Sequence, residues 1–419
     1  MIKQTSSRSG RFRKQATDYT AFIPENLPPD PPLNVDVRMQ RLLQDASLEL
    51  GRLDGLASIL PNPDGFVTAF VRKEALLSSQ IEGTQASLDE VLAFEAREKG
   101  SHRSSSGGAT EVYRYIKAMN HGLSRLDQLP FSLRLIKEIH RELLDSGRGS
   151  DKSPGEFRKS QNWIGTPGCS LKEASFVPPP PAEMNQALHK LENYLHQDTD
   201  LPLLVKIAIV HAQFETIHPF LDGNGRIGRL LITFLLCHAK VLRRPLLYLS
   251  YFFKQRRSEY YEKLDAIRFG GDWEGWVLFF LQGVVEVSRQ AVRAATSILE
   301  LRQRHSELIH KKLPRASTKA IQLLDYCFLR PYLTAADAAR FLQVSHPTAR
   351  SLIGKMVSLG ALKEITERNW GRIFAYREYI DLLREGTELP VTGKSASSPK
   401  KAGSARSAPG KLTTNPASD

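Results

Sequence analysis

Residues 217–231 read IHPFLDGNGRIGRLL. Gly223 and Gly225 flank Asn224, and glycine permits both positive φ and close approach to the backbone. Gly-Asn-Gly can therefore turn successive N–H groups toward one anion. The helix-forming apolar run IGRLLITFLL follows, which puts the glycines at a helix N-terminus. There, unpaired N–H groups and the helix dipole favour phosphate. Arg226 and Arg229 share a face of that first turn. Their two guanidinium forks can hold more than one phosphate group. Asp222 lies just before the nest, and one carboxylate with phosphate oxygens and waters is the usual way to hold Mg²⁺. His218 stands earlier on the same loop. An unperturbed pKa of about 6.5 suits it to take a proton from an attacking hydroxyl.

Working outward, LPLLVKIAIVHAQF (201–214) is apolar on nearly every side and predicts a buried central helix. His211 and Glu215 fall on that helix and read as satisfied core or supporting groups. Helical spacing also runs from Val35 to about Ala96, is broken at Pro61 and Pro63, and returns over 111–160. A long helix begins at Trp273 and runs toward about Leu308. Residues 1–33 are polar and end in PENLPPDPP, which predicts an extended, weakly ordered arm.

The 217–231 string resembles the signature of the Fic (Fic/Doc) family, His-Pro-Phe-x-Asp/Glu-Gly-Asn-Gly-Arg-x-x-Arg, at every fixed position. The resemblance covers about residues 35–300. It implies a mainly α protein, a helical Fic core with a small β-hairpin flap. It also implies transfer of AMP from ATP to Ser, Thr or Tyr hydroxyls of target proteins. In that reading His218 is the base and Asp222 holds Mg²⁺. Gly223, Asn224 and Gly225 form the anion hole, Arg226 and Arg229 bind the distal phosphates, and Gly228 belongs to the same ATP-binding stretch.

Three further segments extend the likeness. SSQIEG places Ser78 and Glu82 on one helix face, with Gly83 suited to the helix end. It resembles the family's inhibitory Ser/Thr-x-x-x-Glu-Gly/Asn motif, which implies that Glu82 pairs with Arg229 and takes the γ-phosphate's place. GEFRKSQNWIG (155–165) resembles the start of the flap, a hairpin expected over about Asn162–Val177 that aligns a target by strand addition. PLLYLSYFFKQRRSEYYEKL (245–264) resembles the core after the signature helix, where Tyr248 or Tyr251 line the adenine pocket or pack the core.

After KKLPRAST (311–318), the chain from Leu333 reads as a winged helix-turn-helix. Ala335–Phe341 predicts its first helix. Ser345 caps a second helix with Pro347 in the first turn, and Gly360 ends it. GALKEITE and RIFAYRE predict wing strands around the tip ERNWGR. His346, Thr348, Arg350, Ser351 and Lys355 could face a DNA major groove, with Arg368 and Arg372 on phosphate. Dimerisation, target docking and regulation are the other duties of such a module, and a homodimer stays open.

The expected organisation is a disordered arm over 1–34, an N-terminal helical region with the inhibitory motif over 35–110 and the catalytic domain over 111–310. A winged-helix domain follows over 315–385, then a disordered basic tail over 386–419. A net charge of +13 suits nucleotides, nucleic acid or acidic partners without choosing among them. The three cysteines, Cys169, Cys237 and Cys327, are too sparse for a disulfide framework and have no metal-ligand spacing, which fits a cytoplasmic protein. The N-terminus lacks the apolar stretch of a secretory signal, and no run reaches the roughly 18 apolar residues of a membrane span. Two alternatives remain at this level. One is a Fic enzyme that transfers UMP, phosphocholine or phosphate. The other is a DNA-binding transcriptional regulator with a vestigial Fic core.

Overall fold

The computed structural model describes residues 8–16, 18–58, 63–97, 107–126, 128–166, 168–366 and 371–389. Among these, α7 (Leu203–Ile217) is the axis, because Leu204, Val205 and every residue from Ile207 to Ile217 are buried. A helix apolar all round is stable only when other helices wrap it. Its neighbours are α6 (Pro181–His196), α8 (Asn224–His238), α10 (Arg257–Gly270) and α11 (Trp273–Lys312). The Trp276 indole of α11 donates to the Ala208 carbonyl at 2.8 Å, so a large buried ring keeps a partner for its N–H.

Around this centre lie α1 (Val37–Ser58), which runs along α11, and α2 (Pro63–Ile81), α3 (Leu88–Arg97), α4 (Gly108–Leu126), α5 (Leu133–Leu144) and α9 (Ser250–Gln255). Ser132 caps α5 through the Leu135 N–H, and Asp272 caps α11 through the Gly275 N–H. Two helices at the heart of the signature, rather than a parallel sheet, agree with the mainly α expectation.

The arm departs from expectation. Gly10–Lys14 (β1) and Thr20–Pro24 (β2) pair antiparallel, Gly10 facing Pro24 and Lys14 facing Thr20. Ala21 and Phe22 are fully buried. Phe22 sits against Phe12 and Phe176, and Phe12 stacks on Phe269. The polar, proline-rich sequence predicts an extended, weakly ordered arm, yet three aromatic contacts, two of them to Phe176 and Phe269, seat this hairpin on the rest of the fold.

The C-terminal region comprises α12 (Ser317–Leu329), β3 (Tyr332–Thr334), α13 (Ala335–Leu342), α14 (His346–Ser358), β4 (Lys363–Glu364), β5 (Ile373–Ala375) and α15 (Arg377–Arg384). Its sheet is antiparallel in the order β3-β5-β4. Ser345 caps α14 through the Thr348 N–H, and Gly360 ends that turn at φ +77°. The paired strands are shorter than the sequence suggests, and the tip residues 367–370, Arg368 among them, lie outside the described residues. The region does not stand apart, since residues up to Leu389 form one compact unit. Gly65 of α2 is the reason α12 can approach so closely: a Cβ there would press on Phe328. The basic tail beyond Leu389 lies outside the described residues, while residues 385–389 fold back against α2 and α9.

Candidate functional site

α7 ends at His218, which takes the left-handed conformation (φ 51°, ψ 60°) and turns the chain into the loop before α8. A non-glycine residue there carries strain of order 1–3 kcal/mol, tolerated where the surroundings fix it. Three contacts do so. Arg158 donates from Nε to the His218 carbonyl at 3.0 Å, its backbone N–H reaches the Pro219 carbonyl at 2.9 Å, and Asn162 donates to the Phe220 carbonyl at 2.8 Å. The His218 Nδ1 faces the Glu215 carbonyl at 3.4 Å. A carbonyl only accepts, so that contact favours the Nδ1–H tautomer and leaves Nε2 as a proton acceptor. Burial first, then the charges of Arg268 and Arg158, hold the imidazole down to about 4. It is therefore neutral at physiological pH and ready to accept a proton.

The loop after His218 is clasped by Asn224. Its Oδ1 accepts the Phe220 N–H and its Nδ2 donates to the Phe220 carbonyl, both at 2.8 Å. Its contribution to the nest is thus its backbone and the shape of the loop. Gly223, at φ +81°, is the residue before α8. Arg226 and Arg229 are 3% and 2% exposed. Arg226 donates from Nη2 to Asp222 Oδ1 at 3.2 Å, but its Nε and Nη1 are buried without a partner. Asp222 Oδ1 also accepts the Gly223 N–H at 2.5 Å, while Oδ2 lies 3.9 Å from Arg148.

Arg229 is engaged through two of its three nitrogens. Its Nε donates to Ser78 Oγ at 2.8 Å, and its Nη2 donates to the Ser78 carbonyl at 3.0 Å and to Glu82 Oε1 at 2.7 Å. Burial would raise the Glu82 carboxyl, but the Arg229 guanidinium outweighs it and holds the group below the usual range. A Cβ on Gly225 would collide with Glu82 Oε1, so the carboxylate lies directly over the nest glycine. α2 ends just before it: the Glu82 and Thr84 N–H groups return to the Ser79 carbonyl, and Gly83 at φ +91° returns its N–H to Gln80.

The flap is slighter than expected. A single antiparallel bridge joins Ile164 and Phe176, with Trp163 41% exposed at its rim. β2 extends it, because the Phe22 N–H donates to the Val177 carbonyl at 2.8 Å on the side away from Ile164.

Two expectations are corrected. Gly228 faces α7, where a Cβ would collide with Glu215 Oε1, and its carbonyl contacts His211 Nδ1 at 2.9 Å. Its place is tight helix–helix packing, not phosphate contact. Tyr248 is fully buried against Phe70 with its hydroxyl unpartnered. Tyr251 is covered by Gly386, and both rings lie beneath Lys73. These tyrosines pack the core between α2 and α9 instead of lining an adenine pocket. His211 is a core group, bonded to Tyr260 as well at 2.9 Å, and burial holds it down to about 3. Burial likewise pushes Glu215 up to about 7.

The sequence reading missed His140. Its Nδ1 accepts the Gly155 N–H at 2.8 Å, so Nε2 carries the proton given to the Asp222 carbonyl at 3.0 Å. Its ring stacks on Phe220 at 3.7 Å. It holds the turn that carries Asp222, and no motif around it signals that. Among the described residues, no group of three or more His, Cys, Asp or Glu could hold a metal. Asp222 alone fits Mg²⁺ only where phosphate oxygens and water complete the shell. None of the described helices is long and apolar enough to cross a membrane.

Two family models match this chain, Fic/DOC family N-terminal over residues 40–124 and Fic/DOC family over residues 130–236. Protein adenylyltransferase Fic from Drosophila grimshawi is 31% identical over 189 residues, 45% of this chain and 34% of that protein. The protein of the same name from Drosophila virilis is 30% identical over 189 residues, again 45% and 34%. The match thus spans about a third of the length of these curated relatives. In fold, the chain is similar to a crystal structure of a Fic family protein from Desulfovibrio desulfuricans G20. The TM-score is 0.53 at 20% identity, covering 82% of this chain and 97% of that one. The matched spans contain both the anion-binding loop and the helix that supplies Glu82, so the likeness to the Fic/DOC family covers the whole candidate site.

Proposed function

We propose that this protein is a protein adenylyltransferase, transferring AMP from ATP to Ser, Thr or Tyr hydroxyls of target proteins and restrained by Glu82. The observation that carries the reading is Arg226. Two buried guanidinium nitrogens without partners, beside a helix N-terminus and a glycine nest, are costly unless a ligand satisfies them. A triphosphate is such a ligand, and the carboxylate already seated over Gly225 and on Arg229 marks the same ground as anion-binding.

His218, neutral, takes the proton of the target hydroxyl as its oxygen bonds to the α-phosphorus. The bond from that phosphorus to the bridging oxygen breaks, and pyrophosphate leaves. The Gly223–Gly225 backbone N–H groups receive the charge that grows on the α-phosphate oxygens. Arg226 and, once freed, Arg229 hold the leaving phosphates in line. Asp222 would hold Mg²⁺, which supplies charge neutralisation on the phosphates when bound. With Glu82 on Arg229, the distal phosphate meets a carboxylate and the α-phosphorus cannot settle in line.

The test is incubation of the Glu82→Gly protein with labelled ATP and a cell lysate, followed by mass spectrometry of the labelled proteins. Added AMP is expected. A mass increment of UMP, phosphocholine or phosphate from the matching donor, with none from ATP, would reassign the transferred group. Three free cysteines support a reducing, cytoplasmic setting. DNA binding by the C-terminal region is a second reading. It is supported by the exposed His346, Thr348, Arg350, Ser351 and Lys355 on α14, and a gel shift with specific competitor tests it.

A further inference from the structure

α2, the helix that ends at the inhibitory turn, is gripped from two sides. On one side is Arg229, as described. On the other is the C-terminal region. Arg72 of α2 is 3% exposed, pairs with Glu95 at 2.5 Å and donates to the Leu329 carbonyl at 3.1 Å. Asp89, in the next helix, accepts from the Tyr332 hydroxyl at 2.6 Å and pairs with Arg384.

The last grip falls closest to the site. Gln80, two residues before Glu82, is 7% exposed, and its Nε2 donates to the Thr387 carbonyl at 3.0 Å and the Ala86 carbonyl at 2.9 Å. Thr387 is itself held, since its N–H and its hydroxyl both donate to the Arg384 carbonyl at 2.8 Å. Lys254 donates to the Glu388 carbonyl at 2.5 Å. Gly386, at φ +76°, lies so close to the Tyr251 ring that a Cβ would collide with it. A segment that leaves α15 thus lies on the core by main-chain contacts and ends on the side chain of Gln80.

We propose that residues 385–388 are a strap that keeps the last turn of α2 in register, so that the C-terminal region governs Glu82 from a distance. The coupling is mechanical. The Gly83 N–H returns to the Gln80 carbonyl, and the Glu82 and Thr84 N–H groups return to Ser79. Losing the strap removes an anchor from that hydrogen-bonded turn, and Glu82 spends less time on Arg229. Movement of the C-terminal region then relieves inhibition without any contact to ATP or to the target. This extension rests on the proposal that Glu82 restrains AMP transfer.

The variants are Gly386→Val, which forces the strap off Tyr251, and Gln80→Met, which keeps the length of the side chain and removes its donors. Hydrogen exchange over residues 78–84 of the full chain is read first, because it does not depend on activity. A lost hydrogen bond of about 1 kcal/mol corresponds to exchange about 3- to 10-fold faster in both variants. AMP transfer is read second: both variants are expected to exceed wild type, and neither to add to Glu82→Gly when combined with it. Unchanged exchange in a folded Gln80→Met protein overturns the strap. So does wild-type transfer by both variants beside an active Glu82→Gly protein. Faster exchange beside an inactive Glu82→Gly protein keeps the mechanical coupling and sinks the adenylyltransferase reading instead.

Discussion

The first turn of α8 and the last turn of α2 meet over one anion site, and their charges are settled unequally. Arg229, on α8, is satisfied three times over by Ser78 and Glu82 of α2. Arg226, one turn-face neighbour away and equally buried, has a single side-chain partner in Asp222 and two orphan donors. Each unmade buried bond costs about 1–3 kcal/mol. The last turn of α2 and Glu82 therefore supply partners to one arginine and leave the other with unmade bonds. In the proposed reading ATP docks on Arg226 while Arg229 is denied to it, a lock on geometry more than on binding.

The comparison breaks first at His218. His218→Ala is expected to lower AMP transfer about 10²- to 10⁴-fold while ATP still binds, since both arginines remain. Near-normal transfer by that variant, measured with labelled ATP, would remove His218 as the base. Next comes the lock itself. Glu82→Gly is expected to raise transfer roughly 100-fold, the cost of mispositioning reacting atoms by about 1 Å. Arg229→Ala removes the lock together with the clamp and should stay poor, as should the double variant. Equal activity of wild type and Glu82→Gly would reduce Ser78–Gly83 to an ordinary helix end.

A smaller effect concerns pH. The folded His218 titrates at about 4 against an ordinary value of 6.5. A base works when unprotonated, so kcat/KM of the Glu82→Gly protein should hold level from about pH 8 to about pH 6 and fall only nearer the lowered value. An acid limb centred at 6.5 would show that the imidazole is not shielded as described. The sign for stability is the same. Below 6.5 the unfolded chain takes the proton that the folded site refuses, so this histidine costs stability on acidification.

Two substitutions separate packing from binding. Gly228→Ala drives a methyl into Glu215 and is expected to lower stability by about 1–3 kcal/mol, read by thermal melting, without a selective loss of ATP affinity. Tyr248→Phe removes a buried hydroxyl that has no partner, so stability should change by less than about 1 kcal/mol and ATP affinity not at all. A marked loss of ATP affinity by Tyr248→Phe would return that ring to the adenine pocket.

Sequence alone determined whatever depends on neighbours along the chain. Gly223–Gly225, Asp222, His218 and both arginines lie within one loop and one helical turn, so their spacing is their geometry. The all-round apolar pattern of α7 likewise announced a buried axis. Gly228 was misread by the same logic, because adjacency cannot tell which face of a helix meets a ligand and which meets another helix. Tertiary structure alone decided the rest. His140 and Arg158 shape the loop by contacts across 82 and 60 residues, with no local pattern to mark them. Phe12 and Phe22 look solvent-bound in a polar arm until Phe176 and Phe269 are brought to them. Thr387 reaches Gln80 over 307 residues. Burial and hydrogen-bond partners are set by what packs from elsewhere in the chain, and that is why the chemistry of the loop could be read from its residues while the distant contacts that hold the loop and the end of α2 in place had to be seen in the fold.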